Sequence, residues 1–189
     1  NHADNFLRAG IDETKRWLRE SNIQWFGDPA NLRGTERVQC VRDFCIAFVG
    51  YHEFQPGLDQ ILSDVQRLSQ QYPVIVFAHW GEEYQPITLQ RVREKALQFV
   101  ESGAMAVIGA HPHVIQDKEW IEGIPVIYSL GNLIFDQYFS EEVMKGQIAE
   151  LTLLKDKDGI HLEKIALQNI SLDSKKGPRL VGEPIEFTR

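Results

Sequence analysis

Pro73-Val74-Ile75-Val76-Phe77-Ala78-His79-Trp80-Gly81 is the stretch on which the fold turns. Its β-branched and aromatic run, with no polar alternation, is what a strand covered on both faces requires. It breaks into a polar, glycine-marked loop at His79. The same pattern recurs twice downstream. Residues 104–108 form a short apolar run that ends at Gly109-Ala110-His111-Pro112-His113, and residues 124–130 form another that ends at Gly131-Asn132. Between the first two lies a helical pattern over 88–102, in which Leu89, Val92, Ala96, Leu97 and Val100 share a face and Gly103 stops the helix. Strands alternating with helices imply an α/β sheet. Open sheets of this kind place ligands in the loops at the carboxyl ends of their strands.

Upstream, residues 6–21 read as an amphipathic helix, and 57–71 as a second one ended by Pro73. Residues 38–41 and 44–51 read as two strands joined at Arg42-Asp43, which sets Cys40 opposite Cys45. That pairing permits a cross-strand disulfide and is equally compatible with two reduced, half-buried thiols. Downstream, residues 147–154 and 159–171 are strand-like and bracket an Asp-Lys-Asp-Gly turn, giving a hairpin over 147–171.

The 189 residues, 43% hydrophobic and 25% charged, suffice for one core and are too few for two ordinary domains. Twenty Lys and Arg against 27 Asp and Glu give a net charge of −7, with no basic cluster, which argues against a domain that grips nucleic acid. The longest apolar runs are strand-sized, far short of the roughly 20 residues a membrane helix needs.

Histidine placement carries the chemistry. His2, His79, His111 and His113 stand in or beside loops, and the last two flank one proline. In an extended segment residues two apart project to the same side, so His111 and His113 are expected to face one point. Neutral imidazole is a ligand for Zn, Mn or Fe. His52 and His161, each isolated, read as ordinary hydrogen-bonded residues.

Taken in order, Asn1-His2-Ala3, His79-Trp80-Gly81-Glu82-Glu83-Tyr84, Gly109-Ala110-His111-Pro112-His113-Val114 and Tyr128-Ser129-Leu130-Gly131-Asn132 resemble the successive motifs of the bacterial CapA capsule-synthesis family. That family is associated with poly-γ-glutamate and belongs to the calcineurin-like metallophosphatase superfamily. The resemblance spans residues 1 to about 137. It implies an α/β fold, a four-layer α/β/β/α sandwich of two mixed sheets in one domain (residues 1–189), with the 147–171 hairpin on the second sheet. It further implies that Asn1, His79, His111 and His113 hold divalent metal ions (Mn, Fe or Zn), two in the complete domain, and that His2 protonates the leaving group. Glu83 and Asn132 match further motif positions and are expected at the substrate, orienting a ligand or holding a loop. The family's aspartate three residues past the Asn-His histidine is Asn5 here, with Asp4 before it.

In this superfamily a bridging carboxylate precedes the Asn-His step, and two ions 3.5–4 Å apart need such a bridge. Its strands are therefore expected on a preceding segment or a separate polypeptide. The implied activity is metal-dependent phosphoester hydrolysis in capsule polymer synthesis. The implied partners are a phosphorylated or anionic substrate or polymer and the membrane subunits of a capsule synthase. A non-catalytic polymer-binding or synthase-complex subunit is the alternative. The resemblance also implies a bacterial cell-surface location through an upstream membrane anchor, an oxidising setting that favours the Cys40–Cys45 bridge.

Overall fold

The computed structural model describes residues 3–157 and 159–189, and for residues 3 and 4 the backbone alone. A 3-10 turn, Ala3–Phe6, leads into α1 (Leu7–Glu20). The chain continues as β1 (Arg37–Val41), β2 (Phe44–His52), α2 (Leu58–Ser69), β3 (Val74–His79), α3 (Gln90–Glu101) and β4 (Ala104–Ala110). It closes with β5 (Lys118–Ile121), β6 (Ile124–Ile127), β7 (Lys145–Asp156), β8 (Gly159–Asp173) and β9 (Gly177–Glu186).

The first six strands form one mixed sheet in the order β1-β2-β3-β4-β6-β5. Its four central members, β2, β3, β4 and β6, run parallel, and β1 and β5 close the edges antiparallel. One face is covered by α2 and α3. There Val49, Val65, Val74, Val76, Val92, Phe99, Val107 and Tyr128 are buried together, each such side chain contributing about 1.5–3 kcal/mol of apolar transfer free energy. On the other face Ile108 and Ile127 meet Ile165 and Leu167 of the second sheet. The apolar run at 104–108 is thus covered from both sides, whereas in the run at 74–78 Phe77 stays exposed.

The second sheet, β7-β8-β9, is antiparallel throughout rather than mixed. The expected hairpin is its core, pairing Asp156 with Gly159 at the turn. Among the described residues every helix precedes β4, so an outer helical layer on this sheet is not formed by them. What the described residues build is the helix, sheet and sheet portion of the sandwich, with α1 beside it.

At the β1 edge, Cys40 pairs directly with Cys45 and the two are joined by a disulfide, their Cα atoms 4.1 Å apart. Arg42 in the turn has φ 56°, as a two-residue hairpin demands.

Candidate metal centre

The parallel strands deliver their carboxyl ends to one place. β2 and β3 are in register with His52 opposite His79, and His79 is opposite Ala110, the residue before His111. Register alone therefore lines up three imidazoles across three neighbouring strands. The His52 and His79 rings are parallel within 1°, with centroids 4.8 Å apart, and His79 and His111 lie 4.3 Å apart. The Phe54 ring meets all three edge-on, at 5.6, 5.9 and 4.8 Å from His52, His79 and His111. All four histidines of this group, His113 included, are buried.

Glu83, His111 and His113 each offer one ligand atom, and these atoms lie within 4.8 Å of one another. Two imidazoles and a carboxylate are a donor set for Zn, Mn or Fe. The residues present fit a divalent cation. Glu83 stands with the two histidines in this group.

The loops holding these groups are interlocked. The Tyr84 N–H donates to Pro112 O at 2.7 Å and the Trp80 N–H to Ala110 O at 3.2 Å, tying the 79–84 loop to the 110–113 loop. Trp80, fully buried, donates its indole N–H to Tyr128 O at 2.9 Å. Glu53, one residue past β2, accepts from the Gly81 N–H at 2.6 Å and from Lys95 Nζ of α3 at 2.8 Å. Burial pushes the Glu53 carboxyl up, but these hydrogen bonds and the charges of Lys95 and Arg91 outweigh it and hold its pKa below the usual 4.5. Asn31 fixes the loop that carries Phe54. Its Oδ1 accepts from the His52 N–H at 2.8 Å, and its Nδ2 faces the carbonyls of His52, Gln55 and Pro56 at 2.9–3.2 Å.

His111 and His113 do converge, but not through strand alternation. Their φ angles are 106° and 60°, so this segment is a turn in a conformation uncommon for side chains other than glycine. Backbone of this kind concentrates where surrounding contacts over-determine it, as at binding sites. Asn132, also expected at the substrate, stands behind His113 with its Oδ1 2.8 Å from the ring Nδ1. His161 is remote, 3.7 Å from Asp156 at the far hairpin, as its isolated position suggests. His52 keeps the hydrogen bond of its N–H to Asn31 Oδ1, and the β2–β3 register stacks its ring on His79. A signal existed: like the other site histidines, it ends an apolar strand. Asn1 and His2, the expected metal and proton-donor residues, lie outside the described residues.

A parallel-centred α/β sheet backed by a second sheet, with a His and Glu cluster at its strand ends, is consistent with a metallophosphatase-like fold. The sequence profile described as "Bacterial capsule synthesis protein PGA_cap" matches residues 1–137, and the chain belongs to that family. It is 27% identical over 159 residues to "Capsule biosynthesis protein CapA" of Bacillus anthracis, covering 72% of this chain and 39% of that protein. It is 42% identical over 64 residues to "PGA biosynthesis protein CapA" of Bacillus subtilis (strain 168), covering 34% of this chain and 17% of the relative. The chain therefore spans well under half the length of these relatives.

Proposed function

We propose that this chain provides part of a divalent-metal centre that hydrolyses a phosphoester during synthesis of a capsule polymer. The observation that carries this reading is the convergence of Glu83, His111 and His113 with His79 and His52 beside them. The relatives' names, capsule and PGA biosynthesis, supply the biological setting. A divalent ion held by these residues would acidify water and withdraw charge from a phosphoryl oxygen.

The chain's own residues prepare the place. Phe54 covers the His52, His79 and His111 rings and limits water there. Glu53 and Asn31 hold the loops at fixed separation. His2, next to Asn1 in the Asn-His motif, is assigned the proton donated to the leaving oxygen. The disulfide fits a protein that works in an oxidising compartment, consistent with a location outside the cytoplasm.

Metal analysis of the full-length protein, with turnover of an aryl phosphate, tests the reading. Bound Mn, Fe or Zn with turnover that is lost in His79→Ala and His111→Ala is the expected result. Bound metal without turnover on phosphate esters would instead favour a polymer-binding subunit that uses the same cleft. Absence of metal affinity would overturn both.

A further inference from the structure

The Gly131-Asn132 loop follows β6 and is locked against the start of β7. Gly131 and Gly146 form a bridge, and the Gln147 N–H donates to Leu130 O at 2.7 Å. A Cβ on Gly146 would stand 1.9 Å from Asn132 O, so the two chains approach as closely as bare backbone allows. Asn132 is buried there, and its amide has one workable orientation. Nδ2 lies 2.9 Å from Val143 O and 3.4 Å from Gln137 Oε1, both acceptors, so Nδ2 must face them and Oδ1 must face His113. The reverse orientation would set oxygen against oxygen on one side and leave the buried Val143 O unmatched.

An amide oxygen only accepts. The His113 Nδ1 at 2.8 Å must therefore carry a proton, which leaves Nε2 with the lone pair in the neutral ring. Further contacts fix the ring plane. Tyr84 and Phe135 lie near parallel to His113, at 25° and 28° with centroids 5.9 and 4.8 Å away. Gln137 donates from Nε2 to Tyr84 Oη at 2.8 Å, closing a circuit from Tyr84 through Gln137 and Asn132 to His113.

From this geometry we infer that Asn132 is a positioning residue that sets the tautomer of His113, making Nε2 the atom presented to a cation beside Glu83 and His111. The inference rests on the metal reading above for its consequence, but the tautomer itself does not depend on any ion. An outer partner of a metal-binding imidazole raises ligand basicity and typically accounts for about 10–100-fold in affinity.

The test uses full-length protein labelled with ¹⁵N histidine. Without added metal, near neutral pH, long-range ¹H–¹⁵N correlation spectra should show the His113 proton on Nδ1, and a proton on Nε2 in the wild type would overturn the proposal outright. In Asn132→Leu the Nδ1-protonated form should lose its dominance, and Zn²⁺ or Mn²⁺ affinity by titration calorimetry should fall by about 10–100-fold. Asn132→Asp keeps an acceptor facing His113 but sets its second oxygen against Val143 O, so it should retain the Nδ1-protonated tautomer while lowering thermal stability. A merely structural Asn132 would lower thermal stability in Asn132→Leu while the tautomer and affinity stayed put, which refutes the inference. If the wild type binds neither metal yet shows the Nδ1 proton, the metal reading fails and the positioning role stands.

Discussion

Gly109→Ala isolates the tightest packing behind the site. Gly109 sits near the end of β4, and a Cβ built there would lie 2.0 Å from Tyr128 O, 2.7 Å from Tyr128 C and 2.4 Å from Trp80 Nε1, where real Cβ contacts stay above 3.0 Å. Two of those atoms are backbone and the third belongs to a fully buried indole, so no flexible side chain can yield. β4 and β6 would have to separate by about an ångström, against the Leu130 N–H bond to Gly109 O at 3.2 Å and the β3 pairing at Ala78. Overpacking of this sort costs about 1–3 kcal/mol. Stranding the Trp80 N–H, which donates to Tyr128 O, adds about 1–3 kcal/mol. The expected loss is about 3–5 kcal/mol, a large share of the roughly 5–15 kcal/mol total of a domain. Urea unfolding followed by tryptophan fluorescence reads it as a midpoint lowered by about 2 M, for a slope near 2 kcal/mol per molar. Gly34→Ala is the control. Gly34 has φ 74° with nothing within 4 Å of its Cβ, so its cost is conformational alone, about 1–2 kcal/mol. If Gly109→Ala loses no more than Gly34→Ala, the close approach of β4 to Tyr128 is not the constraint described.

Three further outcomes are expected. Burial raises the pKa of Asp28 and Glu53, but hydrogen bonds and nearby cations outweigh it, so both fold with pKa values below their usual 3.8 and 4.5; their stabilisation is present above those values and lost as pH falls through the lowered ones. Unfolding free energy should thus decline from about pH 5 towards pH 3, and Glu53→Gln should flatten that decline while lowering stability at neutral pH. Cys40→Ser with Cys45→Ser opens a bridge between residues five apart and should cost about 2 kcal/mol on chain-entropy grounds, with native wild type showing no alkylatable thiol by mass spectrometry. Zn²⁺ or Mn²⁺ at a hundredfold excess over its dissociation constant should stabilise by about 2.7 kcal/mol and raise the melting temperature by about 5–10 °C, a shift abolished in His111→Ala.

The parallel centre of the fold was legible because largely covered strands leave uninterrupted apolar runs; β3 ends at His79 and β4 at Ala110, beside the polar loops that follow. β5 was not, since Lys118-Glu119-Trp120-Ile121 is a short edge strand whose charges reflect one exposed side. β9 contains Gly177, Pro178, Gly182 and Pro184 and is exposed almost throughout, so its pairing with β8 leaves no apolar alternation to read. In the site, residue types were legible and their geometry was not. His111 and His113 were expected to converge by strand alternation, whereas positive φ at both makes the convergence a property of the turn. The neighbourhood of His52 and His79 is a matter of register across two strands, which no local motif states, although His52 also ends an apolar strand.

The second sheet has a place in the chemistry that its sequence does not announce. β7 begins with Lys145-Gly146, and Gly146 admits Asn132 O at a distance no side chain would permit. Asn132 in turn meets Val143 in the approach to β7 and His113 in the β4 loop. Any slip of β7 against β8 would therefore move the oxygen that faces His113 Nδ1, since one residue of register reverses every side chain along a strand. The twelve paired positions between β7 and β8 hold that register over a distance far greater than the site itself. Long antiparallel pairing remote from the cluster thus bears on the position of one amide oxygen beside it.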